Sequence, residues 1–192
     1  KPAETTTAAT TSAQPVADYP NQLAQTSLKG LKIGLAKQYF SAAIDPQVKK
    51  IVLDTVDQLK SAGATIIDID LPSTDLAIAV YYVLVPCEIS ANMARYDGIR
   101  FGQSLKDTTD LLSYYLETRG SFMEPELKRR ILIGTYALSA GYFDAYYLKA
   151  AQVRTLIKQE FDQALQKVDC ILAPVSPTPA WPIGEKVNDP LA

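Results

Sequence analysis

The chain has 192 residues, 47% hydrophobic and 21% charged, with twelve prolines, nine glycines, two cysteines, no histidine and a formal net charge of −2. Without histidine these residues can assemble no Ser-His-Asp or Cys-His nucleophile, no His-ligated zinc or haem and no imidazole proton shuttle. A pI near 5.2 gives no support to sequence-independent nucleic-acid binding, which needs a basic face.

Residues 1–28 are rich in Thr, Ala, Ser, Gln and Pro without apolar periodicity, and read as an extended or disordered lead-in. Lys1 is followed by no Leu-rich core, so no secretory signal is read there and the cytoplasm is the expected compartment. A first residue other than Met points to part of a longer chain. Leu31–Ala36 alternates like a strand, and Asp45-Pro46 supplies an N-cap followed by proline at the first helical position. Val48, Ile51, Val52, Val56 and Leu59 recur at helical spacing, and Gly63 stands where that helix ends. Ala64–Leu71 is a second strand, so strand, helix and strand predict a parallel pair joined by a right-handed crossover.

Ser73 to Val168 is mainly helical in pattern: Asp75–Tyr96 with Pro86 inside, Thr108–Thr118, Glu124–Ser139 and Tyr142–Val168. The apolar stretch Leu76–Cys87 is about half the roughly 20 residues a bilayer span requires, so no membrane segment is expected. Asp169–Ala173 is a third strand, running into a Pro-rich loop at 174–182. Three short strands are too few for the apolar faces of four or five helices, and the sheet reads as incomplete. The expected class is α/β, part of a mixed sheet with a large helical layer.

Few positions carry chemistry. On the last long helix Ala150, Val153, Ile157, Phe161, Ala164, Leu165 and Val168 share one sector at about 100° per residue, and Arg154 falls among them. A buried guanidinium requires an anionic or carbonyl partner, and its planar fork suits a carboxylate. An internal salt bridge, or a side chain snorkelling to the helix edge, fits the pattern as well. Asp68 and Asp70 point to one strand face, either as an acid/base pair or as a solvated face. Lys128-Arg129-Arg130 reads as a phosphate site or an ion-pair network. The eleven tyrosines read as stacking surfaces or as core packing. Two PxxP spacings in the loop read as a recognition motif or a rigid turn, and the cysteines form neither a ligand motif nor a disulfide framework. The glycines are isolated, so no phosphate-cradling loop exists.

Several strings taken together resemble the amidase signature family: Leu28–Leu35 with Tyr39-Phe40, Glu88–Asn92 into Ala94–Arg100, Lys128–Ile131 into Gly134-Thr135, Leu138–Tyr142 with Asp144–Tyr147, Gln152–Leu156, and Asp169–Pro174 into Pro177–Ala180. Within that family, order and spacing closely resemble those of the A subunits of aspartyl/glutamyl-tRNA(Asn/Gln) amidotransferases. On this resemblance residues 29–192 are an incomplete amidase-signature domain. The resemblance implies glutamine hydrolysis, with the ammonia passed to a partner subunit that uses ATP and Mg to amidate misacylated Glu-tRNA(Gln) or Asp-tRNA(Asn). It implies the B and C subunits as partners, tRNA met only through the complex, no cofactor or metal in this chain, and no membrane. The family's Ser-cisSer-Lys triad has no match here and is expected upstream, so no catalytic residue is carried over and the piece alone is expected to be inactive. Arg154 matches the residue implied to clamp the glutamine α-carboxylate. Phe101 stands where the family usually has a tyrosine approaching the substrate. Two alternatives stay open: another amidase of small amides, and a truncated, non-catalytic binding module.

Overall fold

A computed structural model describes residues 18–23, 27–41, 43–105 and 110–185. Most of the expected lead-in lies outside these residues; the described part of it contains a short helix, α1 (Tyr19–Leu23).

Strand β1 (Lys32–Ala36) is central, paired in parallel with β2 (Thr65–Ile69) on one side and β3 (Cys170–Leu172) on the other. Ile33 lies opposite both Ile66 and Cys170, and Leu35 opposite Asp68 and Leu172. Asp169 sets the entry of β3: its N–H donates to Lys32 O and its carboxylate accepts from Lys32 N, both at 2.8 Å.

Between β1 and β2 runs α2 (Pro46–Ser61). The Asp45 carboxylate accepts from Gln47 N at 2.7 Å and Val48 N at 3.3 Å, which satisfies donors left free at a helix start. Its far end turns at Gly63, whose φ of +99° favours glycine. Val56 is buried, whereas Ile51, expected on the same face, is 65% exposed. The Pro-rich loop lacks helix and strand, and docks back where Asp45 N donates to Pro177 O at 2.8 Å.

After β2 a 3-10 turn (Pro72–Leu76) leads into α3 (Ala77–Met93). The helical stretch Pro72–Met93 has 22 residues and is long and apolar enough to cross a membrane by length and composition, which corrects the shorter estimate from Leu76–Cys87. In this fold it packs against α5 (Pro125–Leu138) and α6 (Lys149–Leu165). Pro86 and Cys87 are buried at the α3–α5 crossing, where a Cβ on Gly134 would lie 2.0 Å from Pro86 O. Only a residue without a side chain permits that approach. In chain order α4 (Leu111–Phe122), capped by Asp110, falls between α3 and α5, and a π-helical turn (Asp144–Leu148) precedes α6.

The core joins the sheet to the end of α6: Ala36, Ile69, Leu71, Ala164 and Val168, flanked by Tyr39, Ile67, Phe161 and Ile171. Gly34 belongs to this contact, since a Cβ there would lie 3.0 Å from Ile69 and 3.1 Å from Val168.

Candidate functional site

Helix α6 is the wall from which Arg154 projects. Ala150, Val153, Ile157, Glu160, Phe161 and Ala164 form its inward arc, while Arg154 and Leu165 are exposed. These two positions are eleven residues apart, hence within about 20° of each other around the helix. The buried arc stops short of that row, so the burial expected for Arg154 is corrected. Its guanidinium stands at the margin, with no hydrogen bond or ion pair among the described residues.

The charged residue on the inward arc is Glu160, whose place no sequence pattern marks. Its carboxylate accepts from Ser73 Oγ at 2.6 Å and from Ser73 N at 3.0 Å, anchoring the turn that launches α3. A carboxylate on free N–H groups at a helix start is favourable.

Phe101 is 47% exposed on the loop between α3 and α4, its ring centre 6.2 Å from that of Tyr96. The loop opens with an aspartate turn in which Asp97 Oδ1 accepts from Ile99 N at 2.8 Å and Arg100 N at 3.1 Å. These bonds, that of Arg100 first, hold the Asp97 carboxyl below its ordinary pKa. Gly98 N donates to Phe101 O at 3.0 Å.

A cavity of about 250 Å³ opens between part of this loop and α4, lined by Met93, Tyr96, Phe101, Thr118 and Arg119 among others. Arg154 does not line it. Thus Phe101 and Arg154 stand on different elements.

The remaining candidates resolve into structural roles. Asp70 lies beyond the end of β2 and is bound by Gln38 and by Lys37, the latter at 3.1 Å; both lower its pKa. Arg129 and Arg130 both bond to Glu126, Arg130 also donates to Tyr81 OH, and Lys128 donates to Gly120 O. This is the ion-pair network rather than a phosphate site. The tyrosines divide: Tyr39 packs against the core, whereas Tyr136, Tyr142 and Tyr146 cluster on the surface with ring centres 4.1 to 6.3 Å apart, and Tyr81 and Tyr82 meet edge to face. Cys87 is buried and Cys170 exposed, both free; burial pushes the Cys87 thiol pKa up. Among the described residues no cluster of His, Cys, Asp or Glu could hold a metal ion.

Comparison with known proteins adds to this geometry. The family model described as Amidase matches residues 3–192. The glutamyl-tRNA(Gln) amidotransferase A subunit of Pseudomonas savastanoi pv. phaseolicola is 49% identical over 179 residues, which cover 93% of this chain and 37% of that protein. The corresponding A subunit of Geobacter metallireducens is 50% identical over 177 residues, 92% of this chain and 36% of that protein. The chain therefore spans little more than a third of the length of these relatives. Among solved structures, the A subunit from Thermotoga maritima superimposes with a TM-score of 0.58 at 31% identity, covering 86% of this chain and 31% of that one. A crystal structure described only as that of an amidase gives a TM-score of 0.60 at 21% identity, covering 84% of this chain and 31% of that one, a likeness of fold alone.

Proposed function

The chain belongs to the amidase family, and we propose that it forms part of the glutamine-hydrolysing A subunit of a tRNA-dependent amidotransferase. The observation that carries this reading is 49 to 50% identity along more than nine-tenths of the chain to proteins named as that subunit. Likeness to the structure described only as an amidase stands at 21%.

In this reading Arg154 binds the α-carboxylate of glutamine. The exposed guanidinium on α6 is unengaged by any described carboxylate, so its fork is available for a bidentate pair. Phe101 offers the substrate an apolar edge without a hydroxyl. The nucleophilic serine, the bridging serine and the lysine base come from the portion of the relatives' length not matched here. The lysine acts as a base when burial or nearby positive charge lowers its pKa. The serine oxygen then forms an acyl bond to the glutamine side-chain carbonyl as the amide nitrogen leaves as ammonia, and water cleaves the acyl-enzyme to glutamate. The B and C subunits complete the enzyme, with ATP and Mg used at the partner that amidates Glu-tRNA(Gln) or Asp-tRNA(Asn). The cytoplasm is the matching compartment.

Ammonia release tests the division of labour. Purified residues 1–192 are expected to release no more ammonia from glutamine than a heat-killed control, while the full-length protein carrying them does. Activity in the isolated piece would place the nucleophile and base within these residues and overturn the assignment.

A further inference from the structure

Arg119 has no part in the reading above, yet it leaves one nitrogen unsatisfied. It is half-buried on α4, its Nε is buried without a hydrogen-bond partner, and among the described residues no carboxylate lies within ion-pairing distance. Only part of the guanidinium is sealed from water, since the hydrogen bond made by Nη2 lies in an exposed setting. What it does provide is a tether. Nη2 donates to Ala94 O at 3.2 Å, at the C-terminal end of α3, where a cation meets free carbonyls favourably. The guanidinium carbon stays 5.2 Å from the centre of the Tyr115 ring on the same helix.

Helix α4 grips the other end of the loop too, through Tyr114 OH, which donates to Ser104 Oγ at 2.9 Å. Between these ties sits Gly98, with φ of +78°. A Cβ there would lie 2.7 Å from Tyr114 OH and 2.8 Å from both Gln103 O and Thr118 Cγ2. The turn is thus pressed onto α4 at one point, while the 250 Å³ cavity leaves the rest of its underside unfilled. The turn's own bonds, from Gly98 N to Phe101 O and from Ile99 N and Arg100 N to Asp97, set its shape, and the ties from α4 set where it sits.

We propose that Arg119 is a positioning residue for glutamine binding: by tethering Ala94 across the Gly98 turn it holds Phe101 at the edge of the substrate site. The inference rests on Phe101 facing the substrate, as proposed above. Losing the tether lets the loop settle toward the cavity, which weakens substrate binding without touching the reacting atoms.

The test is glutaminase kinetics of the full-length enzyme with its partner subunits, with the melting temperature of each variant measured beside it. Phe101→Ala, Arg119→Ala and Gly98→Ala are each expected to raise the glutamine KM by about five- to tenfold with kcat within about twofold, the signature of lost binding. Arg119→Lys keeps the charge but not the fork, and should recover only part of the loss. If Phe101→Ala leaves KM unchanged, the substrate-facing reading of Phe101 is wrong and the proposal falls with it. If Phe101→Ala raises KM while Arg119→Ala and Gly98→Ala alter only the melting temperature, the reading stands and the positioning role is overturned.

Discussion

Arg154 presents its guanidinium at the margin of α6 rather than inside the fold, and the energetic argument changes accordingly. A buried, unpartnered arginine would have cost several kcal/mol; an exposed one costs little and is free to engage a ligand. Arg154→Ala in the full-length enzyme is expected to raise the glutamine KM at least tenfold, about 1.4 kcal/mol of binding, with little change in melting temperature. Arg154→Lys should rescue poorly, because an ammonium is a point charge without the bidentate fork. An unchanged KM in the alanine variant would return Arg154 to an ordinary surface position. Asp97 makes a different prediction. Its folded pKa lies below the unfolded value because Arg100 N and Ile99 N bond to the carboxylate. The turn it ties is therefore fully supported above the usual aspartate pKa of about 3.9 and loosens as pH falls through the depressed folded value. Relative to the intrinsic rate, amide exchange at Ile99 and Arg100 should stay protected above the usual aspartate pKa of about 3.9 and lose that protection only as pH falls below it. Asp97→Asn keeps an acceptor oxygen that does not titrate in this range, and should flatten that dependence.

The order of elements was legible because its signals are local. Asp45-Pro46 started α2, Gly63 ended it, and the alternation in Leu31–Ala36 and Ala64–Leu71 marked β1 and β2 as parallel neighbours. The inward faces were less legible, since they depend on what lies across the gap. Ile51 keeps helical spacing yet points outward, and Arg154 falls one row outside the buried arc of α6 that Glu160 completes. The close crossing of α3 and α5 gave no periodic signal at all, being made by Pro86, Cys87 and a lone Gly134. Arg119 and Thr118 were equally silent: their roles arise only when α4 meets the 94–104 loop. The element-scale prediction concerns Gly134. A methyl group there would stand 2.0 Å from Pro86 O, so Gly134→Ala must separate two helices. It should cost about 1–3 kcal/mol, the usual range for overpacking. Denaturant unfolding of the full-length variant measures this directly; stability equal to the parent would mean that the helices do not meet here.

At the scale of the molecule, the described sheet has three strands with β2 and β3 at its edges, and apolar side chains such as Ile78, Leu132 and Ile133 stand exposed on the helical layer. Exposed edges and large apolar areas are surfaces that folded proteins normally cover. That picture agrees with a chain matching little more than a third of its relatives' length. Lack of histidine fits a serine-lysine hydrolase under this account, and partner subunits would then receive the ammonia. The decisive measurement is amidation of misacylated Glu-tRNA(Gln) or Asp-tRNA(Asn) by the full-length protein with its co-purifying subunits, ATP, Mg and glutamine labelled at the amide nitrogen. The account predicts label transferred to the tRNA-bound amino acid, and none when the protein carrying this chain is left out. Hydrolysis of small aryl or alkyl amides by that protein alone, with no label reaching tRNA, would contradict it.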